Sequence, residues 1–283
     1  MQIFPLLNGL NFSVDEMPLN LIDAIVLAII QGITEWLPIS SSAHLGLAQI
    51  FMNAQTPLIF DLLLHAGTLA SAILYFRKEI AGMALALLKF DRKSEYFNLF
   101  SLIVLASIPT AIIGFAFHDY FASMFFSLFW IGITLMINAA FMQISSMDFG
   151  KGKEIIELKG KSGAIIAILM GIAQGISISP GISRSGATIG TAILMKVDRS
   201  KALTFSFLMS IPAIIGATIF EWKGAPVTGI GLDLIIVSIV VSGIVGYISI
   251  DFMMKYVRKK GLAPFAYYCW IVGTISLALS FMN

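Results

Sequence analysis

The chain has 283 residues, 58% of them hydrophobic and 12% charged, with mean hydropathy +0.92 and a formal net charge of +2. A soluble domain carries about 25% charged residues, so a water-soluble globular protein is excluded and an all-α polytopic membrane protein is expected, as one membrane domain over 1–283. The lone cysteine, Cys269, excludes an internal disulfide, and the absence of a basic segment at the N-terminus argues against a cleavable signal peptide.

In chain order, the first long apolar run covers 21–52 and is broken at Pro38, followed by Ser40, Ser41 and Ser42. A proline and a serine cluster inside such a run favour two half-helices over one span, so a re-entrant helical hairpin is expected. Spans follow at 56–76, 98–117 and 120–144. A second broken run, 163–195, is interrupted at Pro180-Gly181 and again followed by serines, and three more spans follow at 202–220, 233–254 and 265–282. Each of the six unbroken runs is long enough, or nearly so, to cross a hydrocarbon core. Irregular backbone at membrane depth is tolerated only where it is buried or lines a cavity, so the two breaks mark the interior. Pro109 and Pro212, each in Ser-Ile-Pro, are expected to kink their spans.

Sixteen of the eighteen Lys and Arg residues lie in four gaps, at 77–97, 147–162, 196–201 and 255–264. With six spans and two hairpins all four gaps fall on one face, which the positive-inside rule makes cytoplasmic. The other face has Asp15, Glu16, Asp119, Glu221 and one lysine, Lys223, so both termini are expected outside.

Residues 31–42 (QGITEWLPISSS) and 174–185 (QGISISPGISRS) share Gln31/Gln174, Gly32/Gly175, Ile33/Ile176, Ile39/Ile182, Ser40/Ser183 and Ser42/Ser185 at an offset of 143. The chain thus reads as two repeats, 21–146 and 163–283, each a hairpin plus three spans. Because three is odd, the second repeat enters with opposite orientation. Such inverted-topology repeats place their sites where the broken helices meet near the midplane.

Chemistry concentrates at the two breaks. Arg184 is the one cation inside an apolar run, in the stretch Pro180–Thr188, and a cation there costs at least about 2.5–3.5 kcal/mol at a helix centre. A half-helix starting at Ser183 offers free amides and a positive dipole end, and arginine adds a planar fork suited to phosphate. With Ser183, Ser185, Thr188 and Gly186, this is the make-up of an anion site, although a structural ion pair between Arg184 and Glu35 also suits these residues. The first break offers Gln31, Glu35, Ser40, Ser41, Ser42 and His44. Gln31 and Glu35 share a helix face, and Ser41 and His44, three apart, pair a nucleophile with a base. His65, four residues after Asp61, reads as a structurally bonded histidine, and His118, beside Asp119, as interfacial.

These residues carry a resemblance that covers nearly the whole chain. Gln31-Gly32-Ile33-Thr34-Glu35, running on through Leu37-Pro38-Ile39-Ser40-Ser41-Ser42-Ala43-His44, and the intact Pro-Gly-x-Ser-Arg-Ser-x-x-Thr from Pro180 to Thr188 resemble the bacterial undecaprenyl-diphosphate phosphatase family linked to bacitracin resistance. The resemblance implies removal of the terminal phosphate of undecaprenyl diphosphate, which recycles the monophosphate carrier lipid for peptidoglycan synthesis. It also implies dependence on a divalent cation, Mg²⁺ or Ca²⁺, and a site at the outer face of the bacterial cytoplasmic membrane. Glu35, Ser41, His44 and Arg184 fall on the family's functional positions, with Gln31, Ser40, Ser42, Ser183, Ser185 and Thr188 in support. Gln31 stands where many members carry Glu, which leaves Glu35 the one carboxylate of its motif. Glu35 then binds the cation or orients His44; Ser41 attacks with His44 taking its proton, or water attacks directly. Partners are the prenyl diphosphate and the bilayer; no nucleic acid is expected, and a homodimer is allowed. The rival class is a transporter of prenyl-phosphate lipid, since inverted repeats with broken helices are also the plan of secondary transporters.

Overall fold

A computed structural model describes residues 19–52, 54, 56, 58–147, 156–222 and 231–282. Asp15, Glu16 and Lys223, and Lys151 and Lys153 of the 147–162 gap, all counted above for orientation, lie outside them. Among the described residues all regular structure is helical: α1 (Leu21–Thr34), α2 (Ser41–Met52), α3 (Leu58–Tyr75), α4 (Arg77–Leu88), α5 (Glu95–Ser123), α6 (Leu128–Ser146), α7 (Gly160–Ile176), α8 (Arg184–Leu194), α9 (Arg199–Trp222), α10 (Leu232–Lys260) and α11 (Ala263–Ser280). The protein is an all-α polytopic membrane protein. Helices α5, α6, α9, α10 and α11 are each long and apolar enough to cross a membrane, and α3 with α4 reaches that length and hydropathy only when the bent pair is taken as one.

The two broken runs fold back on themselves, α1 against α2 and α7 against α8. Helices of 14, 12, 17 and 11 residues fall short of the roughly 30 Å hydrocarbon core at about 1.5 Å per residue. Span ends differ from expectation. The gap after residue 76 is not a loop: it holds α4, bent 73° from α3, because Met83 and Ala86 in this basic segment still find apolar cover. Helix α5 runs on to Ser123, so 120–123 belong to it and α6 begins only at Leu128, where Ser127 caps its first turn. Pro109 and Pro212 lie inside continuous helices.

Small residues let the spans approach closely, as membrane helices do in the absence of a hydrophobic force between them. A Cβ on Gly132 of α6 would meet the Leu277 amide of α11 at 2.8 Å, and Gly273 faces Gly132 in return. Ser242 of α10 donates to the Leu64 carbonyl of α3 at 3.1 Å. Bonds between helix ends also define two faces. Lys159 reaches Glu95 at 3.1 Å and Lys201 reaches Glu157 at 3.7 Å, joining the starts of α5, α7 and α9. At the other ends of α5 and α9, His118 meets Glu221 at 2.6 Å and Asp119 at 2.9 Å.

The two breaks share local geometry. Ser40 and Ser42 hydroxyls lie 3.2 Å apart, Ser183 and Ser185 3.1 Å. Ser40 Oγ accepts from the Ala43 amide and Ser183 Oγ from the Gly186 amide, each capping the half-helix that follows. Helix α1 packs on α10 as α7 packs on α5. At the second break Gly181 has φ +94°, and a Cβ there would drive into Thr134 and the Ile131 carbonyl. Gly181→Ala is therefore expected to destabilise by about 1–3 kcal/mol, read as a lower unfolding temperature in detergent. Gly216→Ala, with nothing within 4 Å of its Cβ, should leave that temperature unchanged; equal behaviour of the two variants would refute the assigned strain.

Candidate active site

Glu35 ends α1 and is buried, and three donors converge on it. Gln31 Nε2, one turn earlier, donates to Oε2 at 3.0 Å, and Ser41 Oγ, the first residue of α2, donates to the same oxygen at 2.6 Å. Oε1 is held by Nη2 of Arg184, delivered by the second break. A guanidinium and a carboxylate brought together in an apolar interior offset most of each other's desolvation. The ion pair considered from sequence is thus formed. It occupies one arm of the arginine fork, while Nη1 is buried without a hydrogen-bond partner. The guanidinium carbon also stands 5.5 Å from the Trp36 ring centroid.

The breaks that carry these groups are bonded to each other. The Gly181 amide donates to Ser40 Oγ at 3.0 Å, and Ser183 Oγ donates to the Leu37 carbonyl at 3.5 Å. Ser40 has φ +72°, a conformation rare outside glycine; its hydroxyl joins both breaks.

A cavity of about 440 Å³ opens from this junction. Its inner end holds Glu35, Ser41, His65 and Arg184. It runs between α5 and α9 past small and apolar residues such as Ala111, Ala213 and Ala217, and ends at His118 and Glu221. A charged inner end and an apolar corridor suit an anionic head on an apolar tail.

Not every expected residue reaches the cavity. Ser40, Ser42 and Ser183 line it, whereas Gln31, Ser185 and Thr188 do not. Thr188 bonds the Arg184 carbonyl at 2.8 Å and Ser206 of α9 at 2.6 Å, tying α8 to α9. Ser185 is buried, its hydroxyl 3.1 Å from that of Ser183. The largest difference concerns His44. Its Nδ1 donates to the Ser40 carbonyl at 2.8 Å, its Nε2 is bonded to Tyr268 Oη at 2.8 Å, and its ring stacks on Tyr268 of α11. It faces a separate, largely apolar groove against α11. Ser41 is therefore paired with Glu35 and not with His44. The histidine beside Glu35 is His65: its Nδ1 donates to the Asp61 carbonyl at 2.8 Å, the local bond expected, but its Nε2 stands 3.6 Å from Glu35 Oε2. Asn138 and Thr134, both bonded to the breaks, gave no sequence signal beyond being polar residues in an apolar run.

Among the described residues no group of three or more His, Cys, Asp or Glu is placed to hold a metal ion. The carboxylate beside Arg184 is Glu35, whose oxygens accept from Arg184, Ser41 and Gln31.

The family model described as bacitracin resistance protein BacA matches residues 24–275. A protein of Carboxydothermus hydrogenoformans named undecaprenyl-diphosphatase is 39% identical over 92% of this chain and 98% of its own length. Proteins of the same name from Desulforapulum autotrophicum and Syntrophotalea carbinolica are each 37% identical over 93% of this chain and their full lengths.

Proposed function

Because the chain belongs to the bacitracin resistance protein BacA family, we propose that it hydrolyses undecaprenyl diphosphate to undecaprenyl phosphate and inorganic phosphate, returning the carrier lipid for peptidoglycan synthesis. The observation that carries this reading is a buried guanidinium with one unpartnered arm, beside a serine hydroxyl hydrogen-bonded to a carboxylate.

The terminal phosphate lies against Arg184, whose Nη1 and the amide end of α8 supply fixed positive charge in a low-dielectric site. Ser41 Oγ attacks phosphorus. Its proton passes to Glu35 Oε2, a new Oγ–P bond forms, and the anhydride P–O bond breaks with its electrons on the departing prenyl monophosphate. Water then cleaves the phosphoserine and releases inorganic phosphate. The 2.6 Å Ser41–Glu35 bond favours this route over direct attack by water. His44, bonded to the Ser40 carbonyl, braces the break that presents Ser41. Mg²⁺ or Ca²⁺ would be held by the Glu35 carboxylate together with the substrate phosphates, since Mg²⁺ is usually held by one or two carboxylates plus substrate phosphates. When bound, such an ion neutralises charge on the diphosphate.

Two repeats, 21–146 and 163–283, of inverted orientation account for the matched serine caps and for the exchange of partners between α1·α10 and α7·α5. With the Lys159–Glu95 face in the cytoplasm, the cavity opens past His118 to the outside of the bacterial cytoplasmic membrane, and both termini lie there. Translocation of a lipid phosphate is the rival reading, and the serine–carboxylate pair, which translocation does not need, favours hydrolysis. Purified protein in detergent should release inorganic phosphate from prenyl diphosphate, since hydrolysis needs no second compartment. No release from a folded sample supplied with Mg²⁺ or Ca²⁺ would overturn the proposal.

A further inference from the structure

Asn138 lies in the middle of α6, an apolar span, and is buried. A primary amide at membrane depth is costly unless its groups are paired. Its partners are not on its own helix. Oδ1 accepts from the Ser183 amide of the second break at 3.2 Å, and Nδ2 donates to the Pro38 carbonyl of the first at 3.3 Å and approaches Cys269 Sγ at 3.5 Å. Both backbone groups are ones that a break strands. Ser183 caps α8 and its amide precedes the helix, and Pro38 sits in the interruption between α1 and α2. One planar amide of fixed width therefore joins the residue before Arg184 to a residue three positions before Ser41. Thr134, one turn earlier on the same face of α6, donates to the Pro180 carbonyl at 2.5 Å, so α6 holds the second break at two points. Gly186 leaves room for this: a Cβ there would meet Asn138 Oδ1 at 3.1 Å and Pro38 at 3.3 Å.

We infer that Asn138 is a positioning residue for the phosphatase reaction: its side-chain amide sets the register of the second break against the first, and so the placement of Arg184 relative to Ser41 and Glu35. This rests on the hydrolytic reading above. The other bonds between the breaks, through Ser40 and Ser183 hydroxyls, belong to the breaks themselves and move with them. Asn138 is anchored in a span packed along α11, so it supplies an external reference. Loss of that reference shifts the anion clamp relative to the nucleophile, and a displacement of about 1 Å costs on the order of 10²-fold in rate.

The test is a cycle of Asn138→Leu, of similar size, with Arg184→Lys, reading kcat and KM for phosphate release with folded fraction measured in parallel. Asn138→Leu should lower kcat about 10²-fold with KM changed less than about threefold, because Arg184 still presents its charge but off line. Combined with Arg184→Lys it should cost little more than the worse single variant, since residues acting through one another are non-additive. A merely structural role predicts less folded protein, unchanged kcat per folded molecule, and multiplying effects. Where Asn138→Leu fails to insert, Asn138→Asp keeps the acceptor for Ser183 and removes the donor to Pro38; it should lower kcat about 10²-fold by the same displacement. Wild-type kcat in Asn138→Leu, or in Asn138→Asp where that stands in, overturns the inference alone, as do multiplying effects. A wild type that releases no phosphate overturns the hydrolytic reading, and this inference with it.

Discussion

Arg184→Lys is expected to insert and fold normally and to lose at least about 10²-fold in turnover, the typical cost of one preorganised donor at a developing charge. The substitution keeps a cation opposite Glu35, so the buried carboxylate is not left unpaired. What it removes is the second arm. In the protein Nη2 is committed to Glu35, and Nη1 is the buried group without a partner. An ammonium is a point charge: it serves Glu35 or the phosphate, but does not present two parallel donors at fixed spacing. Arg184→Ala is the poorer test, because breaking a buried pair costs about 3–5 kcal/mol by stranding the remaining charge, and lost folding would pass for lost chemistry. Phosphate release per folded molecule is the quantity to measure. Turnover of the lysine variant within a few-fold of wild type would remove Arg184 from the anion site.

The architecture was legible where one property decides it. Apolar run length located the five long spans and the α3 run, and Pro38 and Pro180-Gly181 located both hairpins, because proline deprives a helix of a donor whatever surrounds it. Helix ends were less legible. Nothing in the basic character of 77–97 forbids a helix, and α4 forms there because tertiary cover exists for Met83 and Ala86. The same division runs through the site. The Glu35–Arg184 pair follows from charge, since two opposite charges in an apolar bundle have few other stable arrangements. His44 does not follow from its spacing. Three residues after Ser41 it could share that residue's face, but Ser41 opens α2 with its hydroxyl toward α1, and the His44 ring is taken by Tyr268, 224 positions along the chain. His65 shows the reverse: its local bond to Asp61 was readable, and its closeness to Glu35 was not. Asn138 was a polar residue in an apolar run, with no local pattern to say that it touches both breaks.

Ser41→Ala is expected to lose more than about 10³-fold in turnover, since a nucleophile and its proton acceptor act as a unit and removal of either forfeits most of their joint contribution. Substrate binding should change little. Arg184, proposed above to hold the diphosphate, is bonded to Glu35 and not to Ser41. The Ala variant leaves Glu35 Oε2 with the Gln31 donor and the nearby His65, so the carboxylate stays satisfied and the fold should be unaffected. The step also leaves a chemical trace. Attack by Ser41 places the terminal phosphoryl group on its Oγ, so acid quenching of a single turnover with substrate labelled in that phosphate should trap labelled phosphoserine on the wild-type chain and none on Ser41→Ala. Direct attack by water predicts no covalent label in either protein and, with Glu35 free to take the proton from water instead, a much smaller loss in the variant. An unlabelled wild type together with Ser41→Ala activity within about 10²-fold of wild type, the low edge of a general-base effect, would transfer the nucleophile's role to water and leave Glu35 as its base.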